Sequence, residues 1–171
     1  MGHPLARQIP KTPDARAARI RLGLDPDKPL LAILPGSRQS ELKALSKFFL
    51  QTAQKLHQKY PELQFAVPLV NEARKQQFIE LSKGITLPNL HLFEQKQAQQ
   101  PVSRDVMEAC DAALLASGTA SLEMALYKKP MVIAYILSPL MVKVMAWKSG
   151  QSAPLLPWIG LPNILLREFA V

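Results

Sequence analysis

Five short apolar runs, Leu30–Leu34, 64–70, 90–93, Ala112–Ala116 and 131–136, recur along the chain, and a helical stretch follows each of them. Runs of strand length without polar alternation are buried on both faces, and strands joined through single helices run parallel. The pattern therefore predicts an α/β fold: a Rossmann-like parallel sheet with helices on both faces. Ligands of such sheets gather beyond the C-terminal ends of the strands. The loops after Leu34, Val70, Phe93, Ala116 and Ile136 are thus the places to search for a site.

Helices are read at 14–22, 41–60, 72–83, 102–110, 120–127 and 139–148. In the longest, Leu42, Leu45, Phe49, Ala53 and Leu56 make one apolar stripe, Lys43, Lys47, Gln54, Lys55 and Lys59 occupy the other faces, and Pro61 stops it. Residues 1–29 carry Pro4, Pro10, Pro13, Pro26 and Pro29 and are expected to be an interdomain linker with one short helix. Residues 30–171 are expected to form the Rossmann-like domain.

At 171 residues, 48% apolar and 20% charged, the chain has the composition of one ordinary globular domain. No run approaches the roughly 20 apolar residues that cross a bilayer, and Met1-Gly2-His3-Pro4 lacks a signal-peptide core, which points to the cytoplasm. Cys110 is the single cysteine, so an internal disulfide and a cysteine-rich zinc site are excluded, and it reads as a small buried residue at a helix end. The net charge of +8 is concentrated early: 11 Lys and Arg stand against 4 Asp and Glu up to Tyr60, and 10 against 9 afterwards. Such an excess suits a nucleotide diphosphate, an anionic membrane surface or simple solubility. Nucleic acid is not expected as a partner, because the basic residues are not interleaved with aromatics and no helix-turn-helix or zinc pattern is present.

Two turns carry the chemistry. Leu34 runs into Pro35-Gly36-Ser37-Arg38, where small residues let backbone N–H groups approach an anion, the next helix presents its positive end, and Arg38 adds a planar guanidinium. After Ala116 comes Ser117-Gly118-Thr119, again small, with Thr119 available to cap the following helix and Glu123 expected in its first turn. Local pattern leaves Glu123 equally open to a helix-end charge and to a ribose-binding role.

Gly2-His3-Pro4, Leu34-Pro35-Gly36-Ser37-Arg38, Val67-Pro68-Leu69-Val70-Asn71, the segment from Cys110 to Glu123, and Gly160-Leu161-Pro162-Asn163-Ile164-Leu165 occur in the order found in lipid-A-disaccharide synthases, and the chain resembles that family over nearly its whole length. The resemblance implies the C-terminal, UDP-sugar-binding half of a B-type inverting glycosyltransferase. Such an enzyme joins UDP-2,3-diacylglucosamine to 2,3-diacylglucosamine 1-phosphate and gives lipid A disaccharide 1-phosphate and UDP. It further implies that Gly36, Ser37, Arg38, Ser117, Gly118, Thr119, Glu123 and Asn163 contact the UDP-sugar, with Arg38 and Asn163 catalytic and Glu123 holding the ribose hydroxyls. No cofactor and no metal are expected, since no Asp-x-Asp pair or His/Cys cluster is present.

Against the family pattern, the motif order begins almost at Met1, Ile136 stands where many members carry a basic residue, residues 149–158 look long, and the chain ends at Val171. These departures suggest a chain truncated at both ends, inactive alone, whose acceptor domain and catalytic base lie elsewhere. His57 reads as the outer side of a helix, His91 as part of a strand, and His3 as a linker residue; none is a convincing base. Acylated substrates suggest peripheral contact with the inner membrane of a Gram-negative bacterium, through Leu140, Met141, Val144, Met145 and Trp147 or through Leu155, Leu156, Trp158 and Ile159. The same residues suit a core, a domain interface or a homo-oligomer contact. Another B-type UDP-sugar transferase, an epimerase of the same fold and a non-catalytic nucleotide-binding module are the alternatives.

Overall fold

The computed structural model describes residues 9–95 and 100–134. At its centre lies β1, Leu30–Leu34, flanked by β2, Gln64–Leu69, and β4, Ala112–Ala116; β3, Leu90–Glu94, and β5, Met131–Ala134, form the edges. The order is β3-β2-β1-β4-β5 and every pairing is parallel. The register places Leu34 of β1 beside Leu115 of β4, so the C-terminal ends of these two strands emerge together. Between β3 and β4 the chain crosses from one side of β1 to the other, and the loops after β1 and β4 diverge there to open a crevice.

Side chains of a strand alternate between faces, and here each face has its own core. Leu30, Ala32 and Leu34 of β1 join Ala113 and Leu115 of β4 under helices α1, Ala15–Arg21, α4, Val102–Ala109, and α5, Thr119–Leu126. Ile33, Phe65, Val67, Leu69 and Leu114 face the other way, against α2, Gln39–Lys59, and α3, Glu72–Ser82. The apolar stripe of α2 is realised: Leu42, Leu45, Phe49 and Ala53 are buried, with Leu56 partly buried beside them. The fold is thus the α/β parallel sheet with helices on both faces that the five apolar runs require. The strand at 131–136 is described as far as Ala134, and the expected helix at 139–148 lies outside the described residues.

The segment before β1 is built into the first core, with Ile9, Ala18 and Leu24 buried. Its helix is fastened by charge as well as packing. The Arg19 side chain, 9% exposed, donates to the carbonyl oxygens of Ala109 (2.9 Å) and Pro26 (3.1 Å) and to Asp111 Oδ1 (2.6 Å). Asp111 Oδ2 in turn accepts from the Leu30 amide at 2.8 Å, which ties α1, the exit of α4 and the first residue of β1 into one network. Arg21 pairs with Glu108 at 2.7 Å and with Asp105 at 3.2 Å, and Gln64 clasps the backbone of Asp25 through both ends of its amide. Two of the early basic residues, Arg19 and Arg21, are therefore spent on holding α1 in the fold. Removing a buried charge partner leaves two carbonyls and a carboxylate short of a donor, so Arg19→Ala is expected to lower stability by about 2 kcal/mol in urea unfolding.

Candidate functional site

A cleft of about 380 Å³ opens where the sheet order reverses. Gly36, Ser37 and Arg38 line it from the β1 side, Ser117, Gly118 and Thr119 from the β4 side, with Glu41, Ser103, Met107, Ala120 and Glu123 completing the wall and Pro68 and Val70 reaching in from β2. Seven of the eight residues singled out in the sequence meet at this one cavity; Asn163 lies outside the described residues, as do His3 and both apolar segments considered for membrane contact.

The β1 turn is shaped by Gly36, whose φ of 110° is a conformation that side chains disfavour. A Cβ there would also collide with the Glu41 side chain. Helix α2 starts at Gln39, two residues before the sequence reading placed it, with Arg38 as its N-cap. The reason is Glu41, which folds back so that its Oε2 accepts from the amides of Ser37 (3.0 Å) and Arg38 (3.1 Å). This satisfies donors that a helix start leaves open. Arg38 is 81% exposed at the mouth of the cleft, with Nη1 3.6 Å from Glu41 Oε1.

On the β4 side two expectations are corrected. Thr119 is not the cap; Gly118 takes that position, because its φ of 157° and ψ of −161° suit glycine, and Thr119 is the first helical residue. The Ser121 hydroxyl donates to the Gly118 carbonyl at 2.7 Å and steadies the bend. Glu123 is not in the first turn of α5, which begins at Thr119 and holds no acid there. Its Oε1 instead accepts from Arg104 Nε of α4 at 3.2 Å, with the two side chains 16% and 12% exposed. The pairing holds a carboxylate at the cleft wall, oriented by a guanidinium from a different helix.

Two charged side chains of functional interest were not singled out from the sequence: Glu41 in the cleft wall and Arg104, the partner of Glu123. An acid three residues after Arg38 was a signal for Glu41, had the helix start been placed at Gln39; Arg104 is 19 residues from Glu123 and no local pattern announces it. His57 is also corrected: its Nδ1 is buried without a hydrogen-bond partner and its ring meets Phe65 edge-on at 6.5 Å, so it packs onto the sheet instead of facing outward. His91 lies in β3 near Phe93, and burial lowers its pKa. Neither histidine lines the cleft. Among the described residues no three metal-capable side chains cluster, and no helix is long and apolar enough to cross a membrane.

Cys110 is the buried C-cap of α4, donating its thiol to the Met107 carbonyl at 3.3 Å. Burial pushes that thiol from 9.0 to about 12. Burial likewise pushes the Tyr127 hydroxyl, with Glu108 nearby, from 10.0 to about 12. In both cases the folded protein keeps a proton that the unfolded chain gives up, so stability is full below pH 9 and falls as pH rises towards 12. Urea midpoints measured across that range are expected to decline, and Cys110 is expected to resist iodoacetamide at about pH 8 until denaturant is added.

The sequence matches the family described as lipid-A-disaccharide synthetase over residues 1–171. It is 54% identical to the lipid-A-disaccharide synthase of Bordetella pertussis, covering 100% of this chain and 44% of that protein. To the enzyme of the same name from Verminephrobacter eiseniae it is 46% identical, covering 100% and 41%. The chain thus spans less than half the length of these curated relatives. Among solved structures it is similar to a UDP-GlcNAc 2-epimerase from Neisseria meningitidis bound to UDP-GlcNAc, with a TM-score of 0.52 at 17% identity, over 81% of this chain and 43% of that one. At that identity the likeness speaks for the fold alone. The match over all 171 residues shows more: this chain belongs to the lipid-A-disaccharide synthetase family.

Proposed function

We propose that this chain forms the nucleotide-sugar-binding half of an inverting glycosyltransferase that joins UDP-2,3-diacylglucosamine to 2,3-diacylglucosamine 1-phosphate. The observation that supports this most directly is the convergence of the Gly36-Ser37-Arg38 and Ser117-Gly118-Thr119 turns on one cleft at the strand ends. Each turn opens a helix, so two positive helix ends and one guanidinium surround a volume suited to a diphosphate. In this reading an acceptor hydroxyl oxygen attacks the anomeric carbon, the bond to the UDP oxygen breaks, and its electron pair stays on the departing diphosphate. Arg38 and the turn amides stabilise that charge as it develops.

Glu123, held by Arg104, takes the ribose hydroxyls as hydrogen-bond acceptor. Asn163 orients the substrate through its amide. The hydroxyl proton goes to a base in the acceptor-binding domain of the family, and the acylated substrates bring the enzyme to the cytoplasmic face of the inner membrane. Calorimetric titration with UDP, UDP-GlcNAc and NAD tests the assignment. Binding of the two uridine nucleotides without NAD is the expected result; indifference to uridine nucleotides overturns it.

A further inference from the structure

The donors assigned above to the diphosphate already serve a carboxylate. One oxygen of Glu41, Oε2, accepts from both the Ser37 amide (3.0 Å) and the Arg38 amide (3.1 Å), while Oε1 lies 3.6 Å from the Arg38 guanidinium. The carboxylate sits over Gly36 closely enough to exclude a Cβ, and the residue lines the cleft with its side chain 30% exposed. Two backbone donors and the one cation of this turn are therefore turned onto a single internal anion.

We propose that Glu41 is a latch on the diphosphate subsite, an internal occupant that the nucleotide must displace. The inference rests on the reading of the cleft as a nucleoside-diphosphate site. An amide N–H makes one good hydrogen bond, so a phosphate oxygen and Glu41 Oε2 compete for the same two donors. Two anions cannot share this turn without repulsion, and the guanidinium can serve only one of them at close range. Displacement has low steric cost, because Glu41 is partly exposed, and the two amides it releases pass to phosphate oxygens. The empty turn is meanwhile kept in its binding shape, with its donors satisfied. When the sugar has been transferred, return of the carboxylate to the amides speeds release of UDP.

The test is titration of the wild-type chain and of Glu41→Gln with UDP and with uridine. Glutamine keeps an acceptor at the helix start and removes the charge, so UDP is expected to bind about tenfold more tightly and to dissociate more slowly, with uridine unchanged. Equal or weaker UDP binding by Glu41→Gln overturns the latch. It leaves the site assignment standing if wild type binds UDP more tightly than uridine, whereas absence of UDP binding by wild type overturns both. The structure of the wild-type protein with UDP supplies a second reading that needs no variant. Glu41 Oε2 is expected beyond hydrogen-bonding distance of the Ser37 and Arg38 amides, and finding it still on them contradicts the proposal.

Discussion

Replacing Arg38 by alanine is expected to weaken UDP binding about thirtyfold and, in an enzyme that includes the acceptor-binding domain, to slow sugar transfer by a further hundredfold or so. The two figures have different origins. In the proposed function Arg38 supplies, in the ground state, charge-assisted hydrogen bonds to a diphosphate that the turn amides also hold, and a factor of thirty corresponds to about 2 kcal/mol. In the proposed transition state the glycosidic electron pair arrives on the leaving diphosphate, so the same guanidinium would face more charge and lose more when removed. A lysine at position 38 restores charge without the planar fork and is expected to recover part of the binding and little of the rate. Arg38 is 81% exposed and packs into no core, so thermal stability is expected to stay close to that of the unsubstituted protein. Unchanged UDP affinity in Arg38→Ala, with melting also unchanged, removes the residue from the site.

The second large effect is structural. Phe49 is fully buried on α2, in the same core cluster as Ile33, Phe65 and Leu114, whereas its neighbour Phe48 is 56% exposed. Phe49→Ala leaves a cavity in a core that cannot collapse onto a five-stranded sheet, and a loss of about 4 kcal/mol is expected, a fall in melting temperature of about 12 °C. Phe48→Ala is expected to change stability by less than about 0.5 kcal/mol. Adjacent positions of one residue type thus test which face of α2 meets the sheet, and through it the seating of the Gly36 turn at the start of that helix.

Legibility in the sequence follows the range of the forces involved. Leu30–Leu34 and Ala112–Ala116 are readable to the residue because central parallel strands are apolar on both sides and end abruptly in small residues. Their adjacency is a property of topology, and the convention that sites form beyond strand ends was enough to bring Arg38 and Gly118 into the same search. Capping chemistry was harder. Thr119 has the better cap propensity, yet Gly118 holds the position because the backbone there takes a conformation that threonine resists. Long-range ion pairs were invisible: Arg19 with Asp111 joins α1 to the turn before β4, Arg104 with Glu123 joins α4 to α5, and only the folded sheet decides how those elements are placed. The early basic residues looked like a surface for anions, and two of them, Arg19 and Arg21, turned out to fasten α1 to α4 and its exit.

The proposed site requires both turns to grip one pyrophosphate, and a crystal structure of the protein with UDP tests that directly. The prediction is that oxygens of the diphosphate lie within about 3.2 Å of backbone amides from the Gly36-Ser37-Arg38 turn and from the Ser117-Gly118-Thr119 turn, with Arg38 on the same group. A diphosphate held by only one of the turns, or bound away from the β1 and β4 ends, contradicts it.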